Sequence, residues 1–288
     1  MTQLILFNVT NGLIVGAFYA LMALGLSLIL NLSGIINFSH GGFLTLGGYL
    51  AYSLSLSMGF WGALLLAPLL VAALGIAVEA GLIRRLYGKD PLYSLLLTFG
   101  MALMFEDLTR FTWGASAKPF VIPEALAKPL TQQFFFLTGY RVFMVAIVLL
   151  AVAALFLVLR FTRLGIRIRA GTLDLETVSA LGINVRALRS LNFGMGIFMA
   201  GLAGVLAAGM LGLQPTMGNA LIMPSFIAII VGGIGSLPGT LFGGLLIGVA
   251  QGITTVFYPS ASEAIIYIMM GLVLLVRPRG LFGEEGRQ

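Results

Sequence analysis

Apolar residues run along this chain in nine blocks, near 5–30, 35–57, 61–83, 92–112, 141–160, 190–213, 220–237, 240–257 and 262–277, separated by clusters of charge or turn residues. Most are close to the ~20 residues a helix needs to cross a hydrocarbon layer. The first 78 residues contain no Lys, Arg, Asp or Glu, and Glu79 is the first charge. A charge at a helix centre costs roughly 2.5–3.5 kcal/mol on insertion scales, and a stretch with none has no solvated face to offer water. The pattern predicts an all-α, polytopic membrane bundle of about eight or nine spans forming a single domain over residues 1–288. The second and seventh blocks are interrupted by glycines and polar residues. They predict broken or re-entrant helices, which are tolerated in hydrocarbon only where protein or a water-filled cavity satisfies the backbone.

Charge orients the blocks. Arg84, Arg85 and Lys89 lie in one short loop, six arginines (Arg160, Arg163, Arg167, Arg169, Arg186 and Arg189) bracket a second, and Arg277, Arg279 and Arg287 mark the tail. The positive-inside rule places all three on the cytoplasmic side. The segment 113–140, with three prolines and the run Phe134-Phe135-Phe136, then faces outward. Three crossings before Arg84 put the N-terminus outside, and the C-terminus is cytoplasmic. No Lys or Arg precedes Asn11, so the first block reads as a retained span rather than a cleaved signal. Hydrophobic residues make up 59% of the chain and charged residues 9%, with a mean hydropathy of +1.07. The net charge of +6 is accounted for by the loop arginines, which favours lipid over nucleic acid as the partner.

Small residues recur at helical spacing. Gly196, Ala200, Gly204, Ala208 and Gly212 form one stripe, Gly244, Gly248 and Gly252 a second, and Gly12, Gly16 and Ala20 a third. Such stripes let helix backbones approach closely, so that van der Waals contact holds the bundle together.

Catalytic chemistry is sparse. His40 is the single histidine, and there is no cysteine. A metal cluster would have to be built from carboxylates alone. None of Lys89, Lys118 and Lys128 sits in a phosphate-loop motif, and no string of intramembrane carboxylates suggests a proton relay. The expectation is a chain with no catalytic residue, no metal and no cofactor, whose driving energy comes from elsewhere.

Two segments stand out. Residues 34–49 place Asn37, Ser39, His40 and Thr45 between glycine pairs inside an apolar block. They either line a solute pathway or satisfy the freed carbonyls of a kink, and Gly232–Thr240 is a glycine-rich counterpart in the second half. Residues 161–189 form the longest charged loop, with apolar positions at Leu173, Val178, Leu181 and Ile183. Asp174 and Glu176 suit the start of a short helix, and Gly182 and Asn184 its end. That helix either docks on a soluble partner or rests on lipid headgroups.

Gly16 to Ile29 followed by Ile35-Ile36-Asn37-Phe38-Ser39-His40-Gly41 resembles the branched-chain amino acid permeases of bacterial ABC importers. So do Arg169-Ala170 through Asp174, Gly182-Ile183-Asn184, Ala200 to Leu206, and Gly232 to Gly239. The His-Gly form is similar to the first permease of the pair. The resemblance implies a multi-pass inner-membrane location and four companions: a second related permease, two cytoplasmic ATPases that bind the ATP, and an extracytoplasmic binding protein. It implies that Arg169, Asp174, Glu176, Gly182 and Asn184 belong to the segment gripped by the ATPases. Glu176 and Gly182 match the Glu and Gly of the importer loop signature, while Thr177 and Val178 replace its two alanines. Gly42 stands where many relatives carry an acidic residue. Permeases for urea and short amides are similar, and a self-sufficient channel or ion-coupled carrier is the rival from another class.

Overall fold

A computed structural model describes residues 1–129 and 137–283; Phe134, Phe135 and Phe136 lie outside the described residues. Eleven α-helices follow in order: α1 Thr2–Ser33, α2 Ser39–Gly81, α3 Pro91–Trp113, α4 Glu124–Ala127, α5 Gly139–Phe161, α6 Arg163–Leu173, α7 Leu175–Ala180, α8 Val185–Leu211, α9 Met217–Gly232, α10 Leu237–Phe257 and α11 Ala264–Val276. Among the described residues β-pairing is limited to isolated bridges. Six of the helices are long and apolar enough to cross a membrane.

At 43 residues, α2 would be about 64 Å long if straight, twice a bilayer core. It is not straight. Gly59 breaks it with φ 72° and ψ 177°. Gly47 and Gly48 before the break, and Pro68 and Val71 after it, lie against the same stretch of α8, Gly201 to Gly204. The chain has folded back, and α2 supplies the second and third blocks. The second block starts later than its hydropathy suggests. Gly34 ends α1 in the left-handed conformation, residues 35–38 are non-helical, and α2 starts only at Ser39. The seventh and ninth blocks become α9 and α11, with 16 and 13 residues, each shorter than a full crossing.

Helix α8 is the axis. Four-residue spacing advances about 400° around a helix, so each step drifts about 40°. The small-residue stripe therefore winds from one neighbour to the next. A Cβ on Gly196 would lie 2.6 Å from the Gly25 carbonyl of α1. One on Gly204 would collide with the Leu44 carbonyl of α2. Ala200 and Ala208 are buried along the same helix. Gly212 does not belong to the packing surface. It caps α8 at φ 74° with no neighbour within 4 Å of an added Cβ, so its role is the turn.

The other two stripes meet each other. Gly12 faces Gly248, Gly16 faces Gly244 and Leu245, and Gly252 faces the Asn8 carbonyl. This antiparallel contact joins α1 to α10, and the Tyr19 hydroxyl reinforces it by donating to Gln251 at 2.9 Å. Helix α5 is tied to the axis by the Tyr140 hydroxyl, 2.8 Å from the Leu206 carbonyl. The tail returns to α9, with Leu281 N–H donating to the Val231 carbonyl and Phe282 N–H to that of Gly232, both at 2.9 Å.

Candidate functional site

The break before α2 gathers the polar residues of the first segment inside the bundle. Asn37, Ser39 and His40 are fully buried, and Thr45 nearly so. Phe38 N–H donates to Thr98 Oγ1 of α3 at 3.2 Å, and that oxygen also lies 3.1 Å from the Ile36 carbonyl. Ser39 Oγ donates to Asn37 Oδ1 at 2.6 Å. Thr45 Oγ1 accepts from Gly218 N–H of α9 at 3.1 Å, where Gly41 and Gly218 touch backbone to backbone. Asn37 Nδ2 and both ring nitrogens of His40 have no hydrogen-bond partner among the described residues. An unmade buried hydrogen bond costs about 1–3 kcal/mol, so this polar knot has capacity for water or a polar solute. None of its four residues lines the larger cavities described below.

The 161–189 loop is two short helices rather than one. Thr162 caps α6 by accepting from Gly165 N–H at 3.1 Å, and Gly165 lets α6 fold tightly against Val158 and Leu159 of α5. Asp174 caps α7, accepting from the N–H groups of Glu176 and Thr177 at 3.0 Å each. The Thr177 hydroxyl also donates to it. These bonds stabilise the carboxylate and hold Asp174 below the usual aspartate range. Gly182 follows α7 at φ 79°, as its place after the last helical turn requires. Asn184 does not end α7. Its Oδ1 accepts from Ala187 N–H at 3.0 Å and starts α8, because an Asn side chain reaches forward to amides three residues on. Val178 is buried, whereas Leu173 and Leu181 are 74% and 73% exposed beside exposed Glu176. Arg169 lies on α6, at the wall of a cavity of about 700 Å³ shared with Arg160 and the Gly235–Pro238 turn.

A charged clamp missed in the sequence holds this end together. Glu79 is fully buried near the end of α2. It accepts from Arg84 Nη2 at 2.9 Å, from the Tyr87 hydroxyl at 3.0 Å and from Ser190 Oγ of α8 at 2.6 Å. Arg189 stacks over the Tyr87 ring at 4.2 Å. Burial pushes the Tyr87 hydroxyl above the ordinary tyrosine range, so it stays a donor. At the opposite end Glu106 pairs with Arg110 across one helical turn, and accepts from Asn219 Nδ2 at 2.7 Å. A second cavity of about 510 Å³ opens there between α1, α9, α10 and α11.

The model of one protein family, described as the branched-chain amino acid transport system / permease component, matches residues 8–276. This chain belongs to that permease family. The high-affinity branched-chain amino acid transport system permease protein LivH of Escherichia coli (strain K12) is 30% identical, over 95% of this chain and 94% of that one. The permease protein BraD of Pseudomonas aeruginosa is 30% identical, over 96% and 95%. LivM of Escherichia coli (strain K12) is 28% identical, over 91% of this chain and 67% of its own length. As a family permease with apolar helices of spanning length, the chain is a multi-pass membrane transport protein. Two features of this permease lay beyond sequence reading. The Glu79 clamp depends on Ser190, 111 residues away, and α6 is hidden because its arginines read as loop. The Gly165 that permits the α5–α6 turn was the one available signal.

Proposed function

We propose that this permease is the membrane subunit of an ABC importer for branched-chain or related neutral aliphatic amino acids. A second related permease, two cytoplasmic ATPases and an extracytoplasmic binding protein would complete it. The observation that carries the reading is the α6–α7–Gly182 segment. It is capped and held in place by its own side chains, yet it projects Glu176, Leu181 and Gly182 outward at the arginine-rich end. A soluble motor needs such a rigid, exposed handle. Positive-inside logic makes this end cytoplasmic, with the C-terminus on the same side and the N-terminus opposite. The binding protein would deliver ligand at the Glu106–Arg110 end, and Asn37, Ser39, His40 and Thr45 would form the inner wall of the path once the bundle opens. ATP drives the exchange only if its binding favours one of the two states.

The test is uptake of labelled leucine into proteoliposomes. Uptake is expected only with the second permease, the ATPases, ATP and the binding protein present. Glu176→Lys and Gly182→Trp should each abolish stimulation of the ATPase in a complex that still assembles. Accumulation of leucine by this subunit alone would overturn the proposal, and normal stimulation in both variants would remove the docking role.

A further inference from the structure

The 700 Å³ cavity at the arginine-rich end is amphipathic. Arg160, Arg169 and Thr172 line its polar side, and Phe156, Leu159 and Leu237 its apolar side. No acid among the described residues lines it. Among the described residues neither guanidinium has a carboxylate within salt-bridge distance, the only ion pairs being those of Arg84 and Arg110. The nearest acid in sequence, Asp174, is committed to the cap of α7. Arg160 rests over the Phe161 ring at 5.6 Å, and its N–H donors are otherwise unused among the described residues.

Depth identifies the occupant. Helix α5 has 23 residues and a mean hydropathy of 3.3 in its most apolar window, so it spans about 35 Å. Arg160 in its last turn lies at headgroup level, while Phe156 and Leu159 point the cavity back toward the acyl region. A soluble anion has no use for that apolar wall. A zwitterionic lipid would bring a cation to two arginines that lack a carboxylate partner among the described residues. We infer that this cavity binds an anionic phospholipid, its phosphate held by Arg160 and Arg169 and its proximal acyl chain laid against Phe156, Leu159 and Leu237. Basic pockets between membrane helices are a recognised means of lipid-headgroup capture. The lipid would bridge α5, α6 and the turn before α10, linking the exposed handle to the glycine-rich turn.

The experiment uses the full chain reconstituted with phosphatidylglycerol or phosphatidylcholine, extracted in mild detergent, with retained lipid counted by native mass spectrometry. Wild type should keep phosphatidylglycerol in preference to phosphatidylcholine. Arg160→Gln with Arg169→Gln should retain it roughly 30-fold less well, the equivalent of about 2 kcal/mol for two headgroup arginines. Arg160→Lys with Arg169→Lys should keep it, as should Arg167→Gln, which removes an exposed arginine of α6 that does not line the cavity. Leu237→Trp fills the apolar wall, leaves both arginines and should also lose the lipid, so the outcome does not depend on the double variant folding. Glycerol 1-phosphate, the headgroup without chains, should not displace the lipid. Equal retention of phosphatidylcholine, undiminished retention in the double Gln variant and in Leu237→Trp, or displacement by glycerol 1-phosphate would each overturn the inference.

Discussion

Glu79 shows how one charge can be kept inside a membrane bundle. Its carboxylate takes a guanidinium and two hydroxyls, so the cost of burying it is offset by an ion pair and hydrogen bonds. Glu79→Gln should lower stability by about 2 kcal/mol, since bonds to a charged group are worth about 1.5–3 kcal/mol and Arg84 stays partly in solvent. A lower melting midpoint in detergent would show it. His40 is the converse case, buried with both nitrogens unpaired. His40→Leu should leave that midpoint nearly unchanged while reducing transport, and loss of both together would assign His40 to packing alone. Asp174 sets a pH window. Its folded value lies below the ordinary 3.8, so the cap is fully present above that value and is lost as pH falls through the depressed one. Amide exchange at Glu176 and Thr177 should therefore be flat above about pH 4 once corrected for intrinsic rates, and rise only in stronger acid. Asp174 was legible as a helix start because capping is local. The Glu79 partners were not, because sequence carries no label for a contact made between helices.

At the scale of elements, two glycines with positive φ make different demands. Gly34 (φ 66°, ψ 17°) is left-handed helical, a conformation asparagine tolerates. Gly59 (φ 72°, ψ 177°) lies in a region that essentially only glycine occupies. Gly34→Asn should be accepted, whereas Gly59→Asn should cost about 1–3 kcal/mol even though nothing lies within 4 Å of an added Cβ. Paired melting curves would separate them. Gly204→Leu and Gly248→Leu should each cost more than the roughly 1–3 kcal/mol of ordinary overpacking, because the atoms in the way are backbone. Both should appear as aggregation in size-exclusion chromatography. The nine apolar blocks and three small-residue stripes were legible from spacing. That the stripes of α1 and α10 face each other was not, since a stripe records a need for close approach and not the identity of its partner. Residues 161–189 were half legible: the cap and Gly182 were visible, but α6 was masked by its three arginines, which read as a charged loop.

Taken whole, the molecule has a stiff seam and looser flanks. Helices α1, α8, α10 and the folded-back α2 are knitted through glycines, while α3 and α5 show one apolar side to the surroundings, with Leu96, Met104, Leu149 and Leu150 exposed. An opening motion is easiest where backbones are not interlocked. Distance measurements between probes on α1 and α10 should therefore stay fixed through the ATP cycle while α3 or α5 moves against α8. A change within the α1–α10 pair would contradict that division. The same seam bears on how the protein is made. Tyr19 and its partner Gln251 are 232 residues apart, and at synthesis rates of about 5–20 residues per second the first helix waits roughly 12–46 s in lipid before the tenth arrives. During that interval its glycine face and an unmatched tyrosine hydroxyl have no mate, so nascent chains interrupted ahead of residue 237 should be cleared by membrane proteases.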